Sequence, residues 1–193
     1  MSLSGEEIDD YLEYSFGNWF NEMSDSSDHL LRFKMNEDGE IEHSTRTGHP
    51  QLEEIYYNYS SAAGINYTVD VSMPSGDRVQ ITSLSDGAEF DFDKTYTVAI
   101  NSYRGSGGGG LLTRGADIPQ DELSDRIISS TDHDMKFVLM EWIKDKEIIH
   151  PQILGNWEVI PEKWWEAGKQ RDYEILFDKK PEPVKKEIQT ITQ

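Results

Sequence analysis

The residues best suited to chemistry gather at "NSYRGSGGGG", residues 101–110, where a tyrosine and an arginine run into five glycines, Gly105 and those at 107–110. Glycine costs conformational entropy on folding, so a run of it marks positive φ or close approach by another group. Beside a backbone free of side chains, a ring such as that of Tyr103 can form one wall of a slot for a flat ligand. Stacking of a base on such a ring contributes about 1–3 kcal/mol. An ordinary rim tyrosine next to an ordinary turn is the reading that the residues alone leave open.

Other chemistries find less support. Gly105, Gly107 and Gly110 formally spell G-x-G-x-x-G, but residues 111–119 do not open a helix and Ser130 stands where an acidic residue is required, so the dinucleotide fingerprint fails. No Gly-Lys-Ser/Thr follows, which excludes a P-loop. The five histidines, His29, His43, His49, His133 and His150, show no metal-ligand spacing. "DFD" at 91–93 lacks the rest of a calcium loop and reads as a turn. Cysteine is absent and no G-x-S-x-G elbow is present, so the usual activated nucleophiles are missing. No residue is assigned a catalytic or metal-binding role.

The scaffold has 193 residues, a length that suits one domain with an insertion or extension. Five Trp, nine Tyr and seven Phe offset a hydrophobic content of 36%. The formal net charge of −19 repels phosphate polymers and anionic lipid, which argues against a nucleic-acid or membrane partner while leaving room for one small anion in a pocket. No apolar run reaches membrane-spanning length and no signal-peptide pattern opens the chain.

The elements follow from periodicity. Ser4 and Glu7 form a capping box, and Ile8, Leu12, Phe16, Trp19, Phe20 and Met23 recur at helical spacing. Residues 1–3 read as an expression leader, and the fragment is expected to start inside a larger protein. A surface hairpin is expected about Asp38-Gly39 within 28–45, then a short helix from about Pro50. Strands are expected at 65–73, with Ile65, Tyr67, Val69 and Val71 on one face, at 78–84 and at 95–103. A helix capped by Thr131 or Asp132 carries Met135, Val138, Leu139, Trp142 and Ile143 on one stripe. The pattern predicts an α+β domain with a mixed sheet and flanking helices over 4–155, followed at 156–193 by an aromatic-rich extension, with Trp164 and Trp165, and a tail from about 178.

Several of these stretches, in order, resemble a known family. "GINYTVDV" at 64–71, "FDFDKTYTVAIN" at 90–101 and "YRGSGG" at 103–108 are similar to motifs of the 5'-nucleotidase C-terminal domain, nearest the bacterial 2',3'-cyclic-nucleotide 2'-phosphodiesterase/3'-nucleotidase branch. "SGEEIDDYLE" at 4–13 resembles that family's T-G-K-E helix, and the likeness runs from about 4 to 143.

The resemblance implies a two-domain hydrolase of nucleotide catabolism. An N-terminal metallophosphoesterase domain holds two divalent metals, where hydroxide attacks phosphorus; the C-terminal domain holds the nucleoside between two aromatic rings. Tyr103 matches the second ring, Arg104 is expected to meet a polar group at the rim, Gly107 and Gly108 to allow close approach, and Asn101 and Tyr59 to orient the ligand. The family's first ring and its phosphate-facing arginines lie upstream of the T-G-K-E helix, so half of the sandwich is expected to be absent here. The matching place for a ribose-holding Asp is near Gly109, a departure from some relatives. The expected partners are a nucleoside or nucleotide and the metal domain, in the periplasm or secreted. A scaffold or interaction domain that keeps the fold without the ligand is the rival reading.

Overall fold

The computed structural model describes residues 1–146 and 148–177. β1 (Ser2–Ser4) leads directly into α1 (Gly5–Trp19). The capping box sets that junction: Ser4 Oγ accepts from the Glu7 amide at 3.0 Å, and the Ser4 amide donates to Glu7 Oε2 at 2.8 Å. β2 (Ile65–Asp70) and β3 (Val79–Leu84) form an antiparallel hairpin with a bulge between Asn66 and Tyr67. After β4 (Thr95–Thr97), α2 (Ser102–Gly105) and α3 (Met135–Lys146), the chain returns as β5 (Trp157–Ile160), parallel to β2, and ends in α4 (Glu162–Phe177). The sheet order is β3-β2-β5, with β1 and β4 paired antiparallel apart from it, so the fold is α+β with a mixed sheet as the periodicity predicts.

β2 alternates buried and half-buried residues along its length, and its buried face meets the apolar stripe of α1. Phe16 is completely buried; its ring centroid lies 5.3 Å from Trp157, 5.7 Å from Trp19 and 6.1 Å from Tyr67. The extension from residue 156 is built into this core: β5 adds a strand, and Trp164 and Trp165 pack half-buried against it, with Trp165 edge-on to Phe20. The tail expected from 178 lies outside the described residues.

Two charged side chains bind α1 to the β2–β3 turn. Buried Glu13 accepts from the Gly76 amide at 2.9 Å and the Val79 amide at 2.5 Å. Buried Arg78 donates to the Phe20 and Phe16 carbonyls at 2.9 and 3.3 Å and to that of Met73 at 3.0 Å. Basic residues are missing from the last turn of α1, and Arg78 meets its orphan carbonyls from another element.

Several sequence expectations are corrected. Residues 1–3 are built into the fold: Ser2 to Ser4 pair with Thr97 to Thr95, Met1 and Leu3 are buried, and the α-amino group donates to Val98 O at 2.8 Å. With Leu112, Ala116, Ile118 and Leu123 they form a second core cluster. The strand predicted to reach residue 103 stops at Thr97, because Asn101 Oδ1 accepts from the Arg104 amide at 2.8 Å and starts α2.

The helix predicted from Pro50 is replaced by bridges, Phe33 to Leu52 and His43 to Pro50, and only a 3₁₀ turn, Tyr56–Asn58, follows. The turn about Gly39 is present, with φ of 77° and a Met35 to Ile41 bridge, but its base is not superficial: Leu30 and Phe33 are buried. Asp172 of α4 holds that base in place, accepting from the Leu31 amide and pairing with His29 Nδ1, each at 2.7 Å. In α3 the cap is Asp134, whose Oδ1 accepts from the Lys136 amide at 2.8 Å. Its apolar residues are exposed on every side.

Candidate functional site

Tyr103 sits on the single turn of α2, half exposed at 49%, and neighbouring groups fix its ring. The hydroxyl donates to Asn58 Oδ1 at 3.3 Å, the Arg104 guanidinium lies 5.6 Å from the ring centroid, and a Cβ built on Gly108 would stand 2.5 Å from the ring. Glycine is therefore the only residue at 108 that lets the backbone pass so close to the tyrosine. What remains open is a ring surface held on a rigid platform, suited to stacking.

The glycines answer to the protein's own groups. Gly107 packs on Gln120 and Leu123, Gly109 on the Arg104 guanidinium and the Asn58 amide, and Gly110 on the Arg114 guanidinium. Gly109 has φ of 77°, so position 109 needs both the left-handed backbone and the missing side chain.

Arg104 lies under the loop rather than at its rim. It is buried, donating from Nη2 to Tyr57 O at 2.7 Å and from Nη1 to Gly108 O at 3.4 Å, so it ties the 3₁₀ turn to the glycine loop. Asn101 is exposed and caps α2. Tyr59 turns away from Tyr103: its ring stacks on Trp19 at 5.1 Å and 6°, and its hydroxyl donates to Glu54 O. Burial first, and then the Glu54 carboxylate, push the Tyr59 phenol up to about 12.

The structure thus brings Tyr103, Arg104, Gly108 and Asn101 together and adds residues that the sequence reading passed over. Asn58 and Tyr57 reach Tyr103 and Arg104 from 45 to 47 positions away, and Tyr56 and Tyr57 stand exposed beside them on the same turn. The run "YYNYS" at 56–60 was the available signal, three tyrosines about one asparagine in a segment with little apolar pattern. Among the described residues no three His, Asp or Glu side chains gather as a metal-holding group.

The family model described as 5'-nucleotidase, C-terminal domain, matches residues 1–114. The trifunctional nucleotide phosphoesterase protein YfkN of Bacillus subtilis (strain 168) is 27% identical over 174 residues, covering 83% of this chain and 10% of its own length. The chain therefore spans about a tenth of the curated relative it matches. Two solved structures are also similar. A 5'-nucleotidase from Staphylococcus aureus, in complex with alpha-ketoglutarate, gives a TM-score of 0.48 at 22% identity over 82% of this chain and 26% of its own. A 5'-nucleotidase precursor from Thermus thermophilus gives 0.45 at 21% identity over 83% and 24%.

Proposed function

The chain belongs to the 5'-nucleotidase C-terminal domain family, and from that premise we propose that it holds the nucleoside of a nucleotide for a phosphoesterase domain carried elsewhere in the parent protein. The observation that carries this reading is the Tyr103 ring, half exposed yet fixed by Asn58, Arg104 and Gly108. The base stacks on Tyr103. Arg104 and Asn101 are positioning residues, one clamping the loop from beneath and the other starting the turn that bears the ring. The exposed Tyr56 and Tyr57 stand on the same 3₁₀ turn as Asn58, and they supply further apolar surface for the ligand.

Phosphate-ester hydrolysis itself belongs to the metal-bearing domain of the parent, which works in the periplasm or outside the cell, as the family resemblance implies. Among the described residues no helix is long and apolar enough to cross a membrane.

The test is titration of adenosine and 3'-AMP into the protein by calorimetry or NMR, with Tyr103→Ala alongside. Binding that weakens about tenfold or more in the variant supports the reading, a loss in line with one base–aromatic stack. Binding unchanged by the substitution, or no binding up to millimolar nucleoside, rejects it. A scaffold or interaction role is favoured in that case by one observation, the exposed apolar surface of α3.

A further inference from the structure

Three tyrosine rings share one corner of the molecule without sharing one plane. Tyr56 and Tyr57 of the 3₁₀ turn are 74% and 57% exposed, and Tyr103, whose hydroxyl donates to Asn58 Oδ1 of that turn, is 49% exposed. The ring centroids of Tyr56 and Tyr57 are 5.8 Å apart and their planes meet at 78°. A flat base lies parallel to only one of two perpendicular rings. Tyr56 and Tyr57 therefore cannot both stack on the base that covers Tyr103, and at least one stacking face is left over.

The rings are exposed, yet the turn that bears them is pinned at both ends. Within it the Asn58 amide donates to Ile55 O at 2.8 Å, and Tyr57 O accepts from Arg104 Nη2 at 2.7 Å. Just beyond it the Tyr59 ring stacks on Trp19, the Ser60 amide donates to Ser15 Oγ at 2.7 Å, and the Ser15 hydroxyl donates to Ser60 O at 2.8 Å. A platform held in this way has little freedom to lose when a ligand settles on it. Charge adds a second restriction. The Arg104 guanidinium lies between the turn and the Tyr103 ring, and that of Arg114 packs on Gly110. Among the described residues neither is paired with a carboxylate, although the chain has 37 of them from Asp and Glu. These two charges favour a phosphate at this corner, whereas a longer polyanion meets the repulsion of a chain with net charge −19.

We propose that the ligand of this site carries two bases joined by one phosphodiester, a dinucleoside monophosphate, with one base on Tyr103 and the other on Tyr56. This rests on the base-stacking role proposed above for Tyr103. Tyr57, perpendicular to Tyr56, meets the second base edge-on, and Asn58, bonded to the Tyr103 hydroxyl, sets the span between the two faces.

The test is calorimetric titration of 3',5'-linked ApA, 3'-AMP and adenosine into the full chain at one salt concentration. 3'-AMP has the phosphate without the second base, so the ratio of its Kd to that of ApA isolates the added stack. ApA is expected to bind at least about tenfold more tightly than 3'-AMP. Tyr56→Ala brings the two affinities to within about twofold of each other, and Tyr56→Phe, which keeps a stacking ring, preserves the difference. The ring of Tyr56 stands in solvent, so both variants fold, as an unchanged urea midpoint would confirm. Equal affinities in the parent chain, or a difference that Tyr56→Ala leaves intact, overturn the proposal and leave the Tyr103 reading standing. Failure of all three ligands to bind overturns both.

Discussion

α1 and α3 have the same kind of sequence and opposite surroundings. Both carry large apolar residues at helical spacing, yet Phe16 and Leu12 of α1 are buried, whereas the apolar residues of α3 face solvent on every side. The difference lies in what each has to pack on. α1 meets the alternating face of β2 and is bound to the adjacent turn by Glu13 and Arg78; α3 meets only the rim of a cavity. Periodicity announces that a helix has apolar surface to cover, and tertiary partners decide whether it is covered.

Substitutions sharpen this contrast. Phe16→Ala removes a fully buried ring from the centre of the α1–β2 packing and is expected to cost about 3–5 kcal/mol, read as a fall in the urea midpoint. Glu13→Gln replaces one of the two carboxylate oxygens that accept from the Gly76 and Val79 amides, at a cost of about 2 kcal/mol by the same measurement. A loss under about half a kilocalorie there would mean that packing alone holds α1 to its turn.

Asp9, one turn before Glu13, adds a pH signature. Burial first, then the Glu13 and Asp10 charges, push its carboxyl from 3.8 up to about 7, and its Oδ1 is a buried atom without a hydrogen-bond partner. The folded state binds this proton more tightly than the unfolded chain. The stability it contributes is therefore fully present below pH 3.8 and lost as pH rises through about 7. Asp9→Asn is expected to stabilise the protein by about 1 kcal/mol at pH 8, after allowance for partial solvent screening, and to have no such benefit at pH 4. The smallest effect belongs to α3: Leu139→Ala is expected to stay within about 0.5 kcal/mol of the parent chain, and a larger loss would show that the helix is covered in solution.

Much of the core was legible in the sequence because it is written locally. Ser4 and Glu7 specify the start of α1, and the alternation of Ile65, Tyr67 and Val69 specifies the inward face of β2. The second cluster was not legible, since nothing in residues 1–3 announces that they pair with β4. In the candidate site Tyr103 stood out by type and by its glycine neighbours. Its support did not, because Asn58 and Tyr57 reach it across more than forty residues, a relation that no local period encodes. The glycines drew attention for a sound reason, close approach, but what approaches is the protein's own Tyr103, Arg104, Arg114 and Gln120.

The turn between β2 and β3 is exposed at residues 73–77, a position at which protein engineers would place an insertion and proteases would find a cut site. Its amides belong to Glu13 of α1, and the last carbonyls of α1 belong to Arg78 at its far end. Helix and hairpin therefore complete each other's backbone hydrogen bonds, and neither is finished without the other. Lengthening this turn would pull apart both partners at once, so tolerance to insertion here is governed by bonding rather than by accessibility.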